Sequence, residues 1–374
     1  MKKTLALLLA VAFAVPAFAG NVFSNVETYG EIETIGYNTN LDTAMAGQKA
    51  VANRVLFGLG MDLVEDVRAN ITFQYNNVWQ SWNGETVDDY LQNIVVQEAN
   101  VVISNVFGAI ETKIGRQFYG GEDNPVLYVG PRHGYYNGVD YSYSLDGALA
   151  TWSNDNAAVS AFYGQTTHNS EYRLTGLTFD YAFNNNLTAG LYWYDYSYPT
   201  EHQGVWGLKA AYQNEEAKLG AYYAKNYDNG VFSHNNEGWM LKVDASMNLD
   251  MEKLALTPRL SYYHTEKEYY VDDANYTAGI ILANEVGDFS YSGDDWRVFN
   301  AGIDFGFKAL EKVTFAFDYL NAKVDNEWFG NEFDLVAKYQ HNDYVSFNLG
   351  GALVTNVPDE SDSYAVQVGM AIKF

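Results

Sequence analysis

The stretch YAVQVGMAIKF, Tyr364 to Phe374, decides how this chain is read. Every second residue is apolar: Tyr364, Val366, Val368, Met370, Ile372 and Phe374. The residues between them, Ala365, Gln367, Gly369, Ala371 and Lys373, are small or polar. A two-residue period puts alternate side chains on opposite faces, so the stretch is a strand with one greasy face. Its length suits a tilted strand crossing a bilayer, which takes about 9–11 residues. A soluble sandwich also contains amphipathic strands, so the rest of the chain has to decide.

The same alternation recurs upstream to the beginning of the chain. It predicts strands at about 26–37, 51–63, 67–76, 97–104, 109–117, 138–152, 157–165, 173–183 and 187–196. It predicts eight more at about 204–213, 217–226, 239–249, 254–264, 296–307, 313–321, 333–341 and 344–353, before the terminal one. Asp146-Gly147 interrupts the sixth. The pattern is clear near residue 240: Trp239, Leu241, Val243, Ala245 and Met247 share one face, and Met240, Lys242, Asp244, Ser246 and Asn248 the other. Short connections (64–66, 105–108, 154–156, 184–186, 214–216, 250–253, 308–312, 342–343) alternate with longer ones that include 79–92, 118–136 and 265–295.

This is the rhythm of an all-β, antiparallel, up-and-down transmembrane barrel, with short periplasmic turns and long extracellular loops. The count is eighteen strands, or sixteen if the sixth or seventh segment is misread. Closure has a physical cause. In lipid every backbone N–H and C=O must be paired internally, so the sheet can have no edge. The charged face must then point inward, because Lys or Arg on the lipid side costs about 2–4 kcal/mol at mid-depth. About eighteen strands make a barrel too wide to fill with side chains, so a wet lumen is the default.

Residues 1–19 read as a cleaved secretory signal peptide. Lys2 and Lys3 start it, Leu5 to Val15 is a short apolar core, and Ala17-Phe18-Ala19 is an A-x-A cleavage signal. Residues 20–374 then form a single barrel domain. Removing Lys2 and Lys3 takes the formal charge from −25 to −27. This acidity argues against nucleic acid as a partner. Cys is absent, Tyr is 31 and Gly 32, while Pro is only 6, which suits a large antiparallel sheet. Beyond the signal peptide no run approaches 18 consecutive apolar residues, so no helical span is expected.

Taken together, these features resemble the Gram-negative outer-membrane porins. In that family a terminal aromatic such as Phe374 closes the barrel and is part of the signal read by the barrel-assembly machinery. Gly115-Arg116-Gln117 also looks like the G-R-Q turn of porins related to the alginate-export type. The resemblance implies pore formation, and alginate is not carried over with it. It further implies an outer-membrane setting among lipid and lipopolysaccharide, small hydrophilic solutes as cargo, and a homotrimer as the family expectation.

Parity assigns the lumen wall. Arg54, Arg68, Lys113, Lys209, Lys218, Lys242, Arg259 and Lys338 are its basic candidates, and Glu111, Asp244, Asp304 and Asp318 stand among its acids. Arg116 falls on outward parity unless Gly115 makes a bulge that turns it inward, and the cost of Arg in lipid favours the bulge. Loop 118–136 is the candidate constriction loop, with Glu122, Asp123 and Arg132. Loop 265–295 gathers eight carboxylates, which predicts no built metal site and at most loosely held Ca²⁺ or Mg²⁺. No cofactor is called for. The expected function is passive diffusion of small hydrophilic solutes and ions, with weak cation preference at low salt. The alternatives are an adhesion or structural role for the loops, or a barrel enzyme. The six histidines are scattered, and only His168-Asn169-Ser170 tempts an enzyme reading.

Overall fold

The computed structural model describes residues 24–40, 49–81, 94–121, 124–130, 144–166, 172–197, 202–227, 237–269, 271, 279–281, 294–355 and 362–374. The proposed signal peptide, Glu122, Asp123, Arg132 and His168-Asn169-Ser170 lie outside these residues.

The strands are β1 (Ser24–Thr39), β2 (Lys49–Val64), β3 (Val67–Ser81), β4 (Ile94–Val106), β5 (Ile110–Gln117) and β6 (Leu145–Ser153). Next come β7 (Ala157–Thr166), β8 (Arg173–Ala182), β9 (Leu187–Ser197), β10 (His202–Gln213), β11 (Ala217–Tyr227) and β12 (Trp239–Met247). Leu249–Asp250 continues β12 beyond Asn248. The last are β13 (Leu254–Thr265), β14 (Trp296–Phe307), β15 (Val313–Val324), β16 (Glu327–Gln340), β17 (Val345–Thr355) and β18 (Ser363–Lys373). Each pairs antiparallel with its neighbours in sequence. β18 closes on β1, from Glu31 opposite Lys373 to Thr39 opposite Ala365. The result is a closed eighteen-stranded barrel.

Asparagine shapes four of the short turns. The side-chain oxygens of Asn154, Asn184, Asn214 and Asn342 each accept two backbone N–H groups, two and three residues on. Each asparagine thereby replaces the partner a tight turn would otherwise lack. At the other end one connection is equally short. Asp325 (φ 50°) and Asn326 (φ 68°) alone join β15 to β16.

The faces follow the alternation. Val243, Leu260, Phe299, Phe317, Leu335, Leu349 and Val368 are exposed on the outer wall. Between them sit the inward residues, among them Glu33, Arg54, Asp244 and Asp318. The buried apolar core lies inside the barrel, toward the long-loop end. There Tyr119, Val126, Leu127 and Val129 of one loop, and Tyr269, Val271, Ile280 and Ile281 of another, join wall residues such as Phe162, Tyr192, Tyr194 and Tyr263.

Two local expectations are corrected. β6 runs through Asp146-Gly147 without a break, because Gly147 stands in register between Gly115 and Gly164. β16 begins at Glu327, six residues before the predicted 333, because the turn Asp325-Asn326 is tight and carries the pairing on to Trp328.

Candidate functional site

The lumen wall is laced by ion pairs between neighbouring strands. Arg54, almost fully buried, lies 3.0 Å from Glu33 and 3.7 Å from Glu31. Arg68 pairs with Glu27 and, at 3.1 Å, with Asp62. Arg259 reaches Asp304 at 2.9 Å and Asp318 at 3.0 Å. Each of these arginines is thus held between two carboxylates. Lys113 pairs with Glu98 at 3.1 Å, Lys209 with Asp180 at 2.7 Å, and Lys242 with Asp244 at 3.1 Å. Glu111 is exposed at the short-turn end of β5. Most of the predicted lumen charges that the structure describes therefore act in sets.

Arg116 departs from its expected place. Gly115 does adopt a left-handed conformation, φ 118°. The register nevertheless passes unbroken through it on both sides, opposite Asn100 and Gly147. Arg116 therefore stays on the outward face with Ile114. It is tolerated there for two reasons. Its guanidinium grips both oxygens of Asp146 at 3.0 Å and the Val96 carbonyl at 3.1 Å. It also stands one residue from the outer end of β5. Asp146, Gln165 and Arg173 share its level and face across β6 to β8. Replacing Arg116 with leucine is accordingly expected to leave conductance and reversal potential unchanged in a planar bilayer. A change in either would put Arg116 back in the current path.

The described part of loop 118–136 enters the lumen. Tyr119–Gly120 pairs with Tyr128–Val129 as a small hairpin. The Tyr119 ring stacks on Phe162 with centroids 4.4 Å apart and meets Tyr194 edge-on at 6.2 Å. Burial pushes the Tyr119 phenol well above its ordinary pKa, so it stays neutral. Beneath the hairpin, Gly115, Gly147 and Gly164 form one inward-facing row across β5, β6 and β7. A Cβ at Gly147 or Gly164 would press on the Phe162 ring at 3.0 or 2.7 Å.

A second loop comes in from the far wall. Ile280 and Ile281 donate their backbone N–H groups to one oxygen of Glu332, at 2.6 and 2.7 Å. Glu332 is fully buried on the inward face of β16. The sequence reading missed it, because the strand was begun at residue 333. The usable signal was Glu332 two places before Asp334, on the same parity. The apolar runs Pro125-Val-Leu-Tyr-Val129 and Ile280-Ile281-Leu282 also stood out inside otherwise polar loops. Apolar runs of that kind need cover, and the lumen supplies it.

Phe374 sits at the seam. Its N–H donates to the Gly30 carbonyl at 3.0 Å, and the Gly30 N–H donates back to the Phe374 carbonyl at 2.8 Å. Of the acids in loop 265–295, Asp295 pairs with His264 at 3.1 Å and with Arg297 at 3.1 Å. Among the described residues no group of carboxylates and histidines is arranged to hold a metal.

The closed eighteen-stranded barrel with a polar inner wall is a porin-type fold. No protein-family model matches the sequence, and no curated protein matches it. Solved structures do. The outer membrane protein OprD of Pseudomonas aeruginosa superposes with a TM-score of 0.66 at 15% identity, over 96% of this chain and 96% of that one. OpdK of Pseudomonas aeruginosa, solved with vanillate, gives 0.65 at 14% identity, over 95% and 100%. OccAB4 of Acinetobacter baumannii gives 0.63 at 11% identity, over 95% and 99%. At such identities the likeness is one of fold.

Proposed function

We propose that the protein is a passive channel for small hydrophilic solutes and ions, with a weak preference for cations at low salt. The observation that carries this reading is the stoichiometry of the wall. Arg68 and Arg259 are each flanked by two carboxylates, while Arg54 and Lys373 share Glu31 and Glu33, so these sets together carry net negative charge along the path. With Arg116 on the outer face, it contributes nothing to a cationic ring in the lumen. The structural neighbour solved with vanillate supports small solutes as the cargo class.

Screening sets the size of the preference. The Debye length is about 10 Å at 0.1 M salt and about 3 Å at 1 M, so selectivity should fade as salt rises. Reversal potentials across a KCl gradient measure it. Cation preference is expected at 0.1 M and near-neutral behaviour at 1 M; anion preference at low salt would overturn the charge reading. An absence of conductance from correctly folded protein would overturn the channel itself.

A further inference from the structure

We infer that Glu332 is the positioning residue that holds the second infolded segment, Gly279–Ile281, across the lumen and so sets the width of the throat. The inference rests on the channel reading above.

Three observations converge on Glu332. It is a carboxylate with no exposure to solvent. It accepts two consecutive backbone N–H groups, those of Ile280 and Ile281. Charge-assisted bonds of this kind are short and about twice as strong as neutral ones. The segment is also shaped to receive it. Gly279 has φ 81°, a conformation that side chains rarely adopt, and a Cβ there would collide with the Glu332 carboxylate. The glycine lets the chain close around the acid, so successive amides point at one oxygen. Ile280 and Ile281, themselves buried, are carried inward with it.

Asp334 lies beside Glu332 on the same face of β16. The Ile280 N–H also reaches toward Asp334, but Glu332 is the one that accepts both amides of the segment, so the segment's position follows Glu332.

The test is single-channel conductance of refolded protein in a planar bilayer. Glu332→Ala removes the acceptor and should raise conductance about twofold, because the narrowest ring controls the current. Gly279→Ala attacks the same contact from the other side and should do likewise. Glu332→Gln keeps an oxygen for both amides and should restore wild-type conductance. That rescue separates positioning from a general loosening of the barrel. Wild-type conductance in both alanine variants would overturn the inference and leave the channel reading intact. Equal opening by the glutamine and alanine variants would also overturn it, as charge and not amide acceptance would then be at work. If Glu332→Ala does not fold, Gly279→Ala and Glu332→Gln still decide. If the wild-type protein itself fails to conduct, the channel reading falls first.

Discussion

Replacing Val243 with arginine should destabilise the folded barrel in lipid by about 2–4 kcal/mol, the cost of a cation facing the middle of a bilayer. Val243 sits mid-strand on β12, exposed on the outer wall, with Ala221 and Tyr262 as its register partners. Its neighbours Lys242 and Asp244 point into the lumen and form an ion pair there. The same change at Ser261, which stands opposite Asp244 on the inner face, should stay within about 0.5 kcal/mol. Urea unfolding from lipid vesicles measures both. The contrast tests orientation and not mere tolerance, since both sites are in the middle of strands and both gain the same side chain. Equal effects at the two sites would mean that the outer wall does not face lipid.

Deleting Phe374 should lower the amount of barrel that reaches the outer membrane several-fold, while barrel that does assemble keeps most of its stability. The loss to the folded state is local. Two backbone hydrogen bonds with Gly30 disappear, each worth about 0.5–1.5 kcal/mol net. The Phe374 ring, tilted against Phe57 at 6.5 Å, leaves Gly30 uncovered. Nine register pairs between β1 and β18 remain to close the barrel. Quantifying the outer-membrane fraction, together with unfolding of the purified barrel, separates the two effects. Normal delivery to the membrane would reduce Phe374 to a packing residue.

The strands were legible in the sequence because alternation is local. A residue's face depends only on its parity within a strand, and lipid on one side with water on the other makes the contrast strong. The start of β16 was less legible. Glu327 to Asn331 contains Gly330 and two acids or amides, so its alternation is faint, and the register slips between Ala322 and Lys323. Arg116 shows a different limit. The cost of an arginine on the lipid side was the right quantity, but the partner that offsets it, Asp146, lies thirty residues away on the next strand. Nothing in local sequence reports which residues a register will set side by side. The throat was partly legible. The loop at 118–136 was the expected one, yet its charges were taken as its working part. In the described residues it is the apolar run from Val126 to Val129 that enters the lumen.

The row Gly115, Gly147 and Gly164 has a mechanical consequence. On that wall the Phe162 ring, with Tyr119 of the hairpin stacked on it, rests close on bare main chain at Gly147 and Gly164, with no side chain beneath it to rotate away. Main chain in a hydrogen-bonded sheet yields little, so this side of the throat behaves as a fixed jaw. The opposing side ends in two hydrogen bonds to one carboxylate, a joint that a single substitution can undo. If the protein conducts as proposed, its aperture would be adjustable from one side only, and solutes of different girth would be sorted by the β16 wall, with the glycine wall as anvil.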